Sequence, residues 1–161
     1  MTATAPKAPV ELFFSYAHKD EKFKDDLVDH LSVLRRNGVI SAWHDRNIDA
    51  GDEWAKAISE NLEKADIILL LVSTSFLASD YCWSIEMERA MARHESGEAR
   101  VVPVILKPCD WSDTPFKKLL ALPKDGKPIT TWSSTDEAFV DVVTGIRKSL
   151  GKPPPKAAQK R

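Results

Sequence analysis

The stretch Ile67-Ile68-Leu69-Leu70-Leu71-Val72-Ser73-Thr74-Ser75-Phe76-Leu77-Ala78-Ser79-Asp80-Tyr81-Cys82-Trp83-Ser84-Ile85-Glu86-Met87-Glu88-Arg89-Ala90 contains a strand, a polar loop and a helix in one line. The unbroken apolar run Ile67–Val72 suits a strand covered on both faces. Ser79 or Asp80 can cap the helix that follows, because a short side-chain oxygen there accepts an orphan N–H of the first turn. At about 100° per residue from Cys82, Trp83, Met87 and Ala90 share its arc, whereas Ser84, Glu88 and Glu95 fall opposite. Glu86 lands inside the apolar arc, and Glu88 serves as a control on the solvent face.

An inward carboxylate costs several kcal/mol unless it is paired or protonated, so its presence needs a cause. Two readings stand. In the first, Glu86 is half of a buried ion pair with Arg100 or Lys107. In the second, it looks into an open crevice at the carboxyl end of a sheet and acts on a ligand.

Working outward, the same alternation recurs. Val10–Phe14 is the first strand, followed by Ser15–Lys19, with Asp20 as the cap of a helix carrying Phe23, Leu27, Leu31 and Leu34 inward. Asn37-Gly38 stops that helix, and Val39–His44 is the second strand. The loop Asp45–Asp52 is long for a strand-to-helix connection, and Asp52 caps a helix bearing Trp54, Ile58 and Leu62. Asp66–Val72 and Arg100–Leu106 are the third and fourth strands. Prolines punctuate Lys107–Lys127, leaving at most a short helix at Phe116–Leu120 and a short edge strand at Pro128–Thr131. A final helix opens at Thr135 or Asp136, turns Phe139, Val142, Val143, Ile146 and Leu150 inward, and ends at Gly151. The alternation predicts an α/β fold: a parallel sheet of four to five strands with helices on both faces and right-handed crossovers. Ligands of such sheets sit beyond the strands' carboxyl ends, where strand order reverses.

Residues 1–9 read as a disordered leader, 10–150 as one domain, and 151–161, rich in Pro and Lys, as a flexible tail or a linker to a fused sensor or effector domain outside this chain. With 23 basic against 24 acidic residues there is no nucleic-acid footprint, and no apolar run is long enough to cross a membrane. Two cysteines, Cys82 and Cys109, imply reduced thiols in a cytoplasmic protein. His18, His30, His44 and His94 show no metal-ligand spacing, so no metal is expected. No G-x-G-x-x-G, Walker or G-x-S-x-G pattern occurs, and Phe14-Ser15-Tyr16 stands where a phospho-acceptor receiver needs an acidic pair.

Three segments carry a resemblance. Phe13-Phe14-Ser15-Tyr16-Ala17-His18-Lys19-Asp20, then Trp43-His44-Asp45-Arg46 through Ala50-Gly51, then Ser79-Asp80-Tyr81-Cys82-Trp83-Ser84-Ile85-Glu86 resemble the successive motifs of Toll/interleukin-1 receptor (TIR) domains. Cys109-Asp110-Trp111, Leu122-Pro123 and Gly126-Lys127-Pro128-Ile129 look like the matching region of bacterial members. The resemblance implies a flavodoxin-like fold and one of two functions. Many bacterial members cleave NAD+ at the nicotinamide–ribose bond with a glutamate matching Glu86; animal receptor and adaptor members assemble scaffolds through a loop matching Asp45–Asp52. On the first, NAD+ is substrate and no cofactor is needed. Products are ADP-ribose or a cyclic form, partners are other TIR domains in a homo-oligomer or filament, and the setting is bacterial immunity against phage or, less often, interference with a host. The family's enzymes often carry Trp four residues before the glutamate, where this chain has Cys82 with Trp83 beside it. By the same resemblance Tyr16 and His18 border the nicotinamide, Trp54 stacks on it, Asp45 and Arg46 contact ligand or each other, and Ile48 meets a neighbouring subunit or the ligand.

Overall fold

The computed structural model describes residues 9–44 and 60–150. Four parallel strands, β1 (Val10–Ser15), β2 (Ile40–His44), β3 (Ile67–Val72) and β4 (Arg100–Ile105), form one sheet in the order β2-β1-β3-β4. All six residues of β3 are buried, as its unbroken apolar run requires of a strand with a layer on each face. Fully burying side chains of this size stabilises the fold by about 1.5–3 kcal/mol each.

Alternation along the strands divides the core. Leu12, Phe14 and Tyr16 of β1 and its extension face a layer made by α1 (Glu21–His30), α2 (Ser32–Arg36) and the last helix, which supply Leu27, Leu31, Leu34, Phe139, Val142 and Ile146. Phe13 of β1 and Ile68, Leu70 and Val72 of β3 face the other layer, with Leu62, Phe76, Cys82, Met87, Ala90 and Met91. That second layer comprises residues 60–64, which are helical, α3 (Thr74–Ala78), and a longer helix over 80–95 that begins irregularly and becomes α4 (Glu88–Glu95). The final helix is α5 (Thr135–Leu150). This is a flavodoxin-like α/β fold, in which strand order reverses between β1 and β3.

Several local expectations are corrected. The helix after β1 is broken at Leu31, which separates α1 from α2. What reads as a loop after β3 contains α3, capped by Ser73, whose Oγ accepts the Phe76 N–H at 3.1 Å. Phe116–Leu120 forms turns, closed by Leu119 N–H to Phe116 C=O at 3.0 Å, with Leu120 exposed. Pro128–Thr131 is not an edge strand: Ile129–Thr131 is a single 3₁₀ turn. The outer edge of β4 is met instead by Leu122, whose N–H and C=O bond Pro103 and Ile105 at 2.8 Å each. The helix Asp52 was expected to open, with Trp54 and Ile58, lies outside the described residues, although Leu62 near its end is buried.

Candidate active site

Ser15 is the last residue of β1, and Phe13 and Ser15 point to the same face of the sheet, the one covered by the 80–95 helix. Glu86 meets it there. The Ser15 hydroxyl donates to Glu86 Oε1 at 2.7 Å, joining residues 71 apart in sequence, and both side chains are 0% exposed. The pair therefore lies at the carboxyl end of β1, beside the point where strand order reverses.

The helix reaches this position by an unusual route. Ser79 starts it, its Oγ accepting the Cys82 N–H at 3.1 Å. Cys82–Met87 then forms a π turn, with the Glu88 N–H returning to Trp83 C=O, five residues back. Such turns are rare, occur mostly singly inside α-helices and are frequent at functional sites.

The crevice expected over Glu86 is not open; the carboxylate is enclosed. Neither expected cation is placed beside it by a described contact. Lys107, just past β4, stands 3.8 Å from Asp20 Oδ1 and over the Phe23 ring. Arg100 opens β4 in register with Ile67, whereas Ser15 is in register with Leu70, three residues or about 10 Å further along the sheet.

Asp20 is a second carboxylate at this end of the sheet, and it is also 0% exposed. It occupies the cap position of α1 but makes no side-chain cap bond; its Oδ2 accepts a short hydrogen bond from the Ser73 hydroxyl. Ser73 thus links α3 to the start of α1, accepting from Phe76 and donating to Asp20. Cys109 lies nearby, and burial, with Asp110 and Asp20 adding, pushes its thiol above the ordinary range. It is a protonated thiol rather than a ready nucleophile.

Of the residues singled out in the sequence, Cys82 and Trp83 share the layer of Glu86, the first buried and the second partly so. His18 is exposed on the 3₁₀ turn His18–Asp20 at the same edge. Tyr16 is brought elsewhere: one residue past Ser15, it turns to the opposite layer, 5% exposed, with Lys24 over its ring. Asp45, Arg46, Ile48 and Trp54 lie outside the described residues. Read from the sequence, Ser15 and Ser73 are loop residues with no assigned role. The available signal for Ser15 was its parity with Phe13, which puts a polar group on a buried face.

Among the described residues no group of three or more His, Cys, Asp or Glu side chains could hold a metal ion, and no helix is long and apolar enough to cross a membrane.

Comparison with known proteins adds to this geometry. Over 154 residues, 91% of its length, the chain is 53% identical to the uncharacterized protein y4lF of Sinorhizobium fredii, of which it covers 48%. It is 28% identical over 100 residues, 62% of its length, to the 2′ cyclic ADP-D-ribose synthase BtTIR of Bacteroides thetaiotaomicron, covering 33% of that protein. The chain therefore spans less than half the length of either relative. Its fold is that of the TIR domain of the Toll-related receptor TRR-2 from Hydra magnipapillata, with a TM-score of 0.60 at 16% identity, covering 85% of this chain and 95% of that one. The family model for the TIR domain matches residues 12–142, most of the described fold, and the chain belongs to that family.

Proposed function

We propose that this domain is an NAD+ glycohydrolase that breaks the bond between nicotinamide and ribose C1′, with Glu86 as its catalytic carboxylate. The observation that carries the proposal is a buried glutamate held by a strand-end hydroxyl where strand order reverses, in a TIR domain related to a 2′ cyclic ADP-D-ribose synthase.

One carboxylate suffices for this chemistry. Ordinary glycosidases need an acid as well, because their leaving group is a poor alkoxide. Nicotinamide departs from NAD+ as a neutral molecule, taking the electron pair of the C1′–N bond without a proton. What remains is an oxocarbenium-like sugar, which a fixed negative charge in a dry site stabilises. Water then adds at C1′ and loses a proton to give ADP-ribose, or a group within the nucleotide closes a cyclic product. His18, exposed at the same edge, and Trp54 are proposed to border the nicotinamide; Asp45 and Arg46 are proposed to contact the ligand, and Cys82 and Trp83 to wall the ribose side. Tyr16, turned to the other layer, has no place in this arrangement.

Glu86 is enclosed, so substrate reaches it only after neighbouring groups move. The activity is accordingly latent and rises on association with other TIR domains. The test is nicotinamide release by purified protein at high concentration, with Glu86→Ala and Glu86→Gln alongside. Equal rates in parent and variants would remove Glu86 from the mechanism.

The same enclosure supports a second reading, a non-enzymatic TIR–TIR assembly module in which Glu86 is structural. On that reading Arg46 or Ile48 substitutions abolish association while NAD+ stays intact in every assay.

A further inference from the structure

Ser15 holds one oxygen of the Glu86 carboxylate. Its hydroxyl is donated over 2.7 Å to Oε1, and the two side chains are each 0% exposed, so water does not compete for either partner. A hydrogen bond to a charged acceptor is shorter and roughly twice as strong as a neutral one, and burial raises its worth further.

The two ends of this bond differ in rigidity. Glu86 sits at the tip of a three-torsion side chain on a π turn, a widened stretch of helix. Ser15 has one torsion, and its backbone is locked in the parallel ladder, paired in register with Leu70 of the wholly buried β3. The strand is therefore the reference frame and the glutamate the part being aimed.

We propose that Ser15 is a positioning residue for the Glu86 carboxylate: it ties one oxygen to the end of β1 so that the charge is already oriented when the C1′–N bond breaks. The inference rests on the NAD+ reading above. Ser15 need not touch substrate, and its contribution appears in the chemical step rather than in affinity for the nucleotide. Displacing a catalytic group by about 1 Å costs on the order of 100-fold in rate.

The experiment compares the parent with Ser15→Ala, Ser15→Thr and Glu86→Gln in steady-state nicotinamide release, each corrected for folded fraction by thermal melt. Ser15→Ala removes the donor. Ser15→Thr keeps the hydroxyl on a residue that strands favour. The expected result is a kcat roughly 10- to 100-fold lower in Ser15→Ala with KM changed less than about threefold, and recovery of most of kcat in Ser15→Thr. A merely structural serine would lower the folded fraction and leave kcat per folded molecule and the KM unchanged. Ser15→Ala within about twofold of the parent, in a protein where Glu86→Gln is inactive, overturns this inference and leaves the NAD+ reading standing. A loss confined to KM also overturns it. A parent that releases no nicotinamide at any protein concentration overturns both.

Discussion

Glu86→Gln separates the enzymatic and structural readings by stability as well as by rate. The substitution keeps volume and replaces one carboxylate oxygen by an amide. Ser15 loses a charged acceptor and keeps a neutral one, which costs about 1–2 kcal/mol, the difference between the two kinds of hydrogen bond. Against this, a carboxylate that is 0% exposed carries a desolvation penalty of several kcal/mol, which the amide largely escapes. If Glu86 is held inside for catalysis, the balance favours glutamine by about 1–3 kcal/mol, and at about 2–4 °C per kcal/mol for a domain this size the melting temperature rises by about 2–12 °C. If Glu86 anchors a buried ion pair, the stranded cation costs about 3–5 kcal/mol and the melting temperature falls by roughly 6–20 °C. Differential scanning calorimetry at pH 7 reads the sign. Nicotinamide release falls at least about 100-fold in the enzymatic case, a loss typical of removing a group that stabilises transition-state charge. A melt lowered by more than about 5 °C, or release equal to the parent's, would refute the reasoning.

Three further outcomes follow from groups outside the site. Arg93 is 7% exposed and donates to the carbonyls of Leu62 and Ala65 at 2.7 and 2.8 Å, capping the end of the helix over 60–64, and to the Glu98 carbonyl at 3.2 Å. Arg93→Leu leaves those carbonyls without their donor and should lower stability by about 3–5 kcal/mol in urea unfolding, whereas Arg89→Leu, which breaks an exposed pair with Glu63, should cost less than about 1 kcal/mol. His94 accepts the Val101 N–H at Nδ1, and burial, then Arg100, lower its pKa from the ordinary 6.5, so the unfolded chain takes the proton more readily. The parent should therefore lose stability as pH drops from about 6.5 towards the folded value, and His94→Asn, which keeps an acceptor without the titration, should flatten that slope in melts. Gly126 has φ of +71°, and a Cβ there would lie 3.0 Å from Trp111 Cζ2; Gly38 has φ of +75° and open space. Both alanine variants should lose about 1–2 kcal/mol to left-handed backbone, with Gly126→Ala the worse, and equal losses would show that Trp111 yields freely.

Much of the fold was legible because its signals are local and strong. The run Ile67–Val72 cannot be covered except as an inner strand, and the spacing of Leu27, Leu31 and Leu34 places one face inward even though the helix breaks at Leu31. The errors fall where the signal is short or distant. The five residues of α3 are fewer than a helical period needs for recognition, and the Asp20 carboxylate looked like a cap because Ser73, its partner, lies 53 residues away. Tyr16 and Ser15 are adjacent in one motif, yet strand alternation sends them to opposite layers, so a motif read as a unit splits across the sheet.

The helix of Glu86 shows why an inexact reading could still find the site. At a uniform 100° or so per residue, the buried positions Cys82, Glu86, Met87, Ala90, Met91 and Arg93 spread over about 180°, with Met91 opposite Cys82. The π turn absorbs about one extra residue and turns everything after it back by about 100°, bringing Met91 to roughly 80° and Ala90 to within about 20° of Cys82. Glu86 lies within the turn and shifts less, so it remains in the buried arc under either count. The regular wheel therefore found the carboxylate but misplaced what lies behind it. The apolar stripe that anchors the helix to the sheet is narrower than a regular helix would make it, and Glu86 interrupts that stripe directly across from the end of β1.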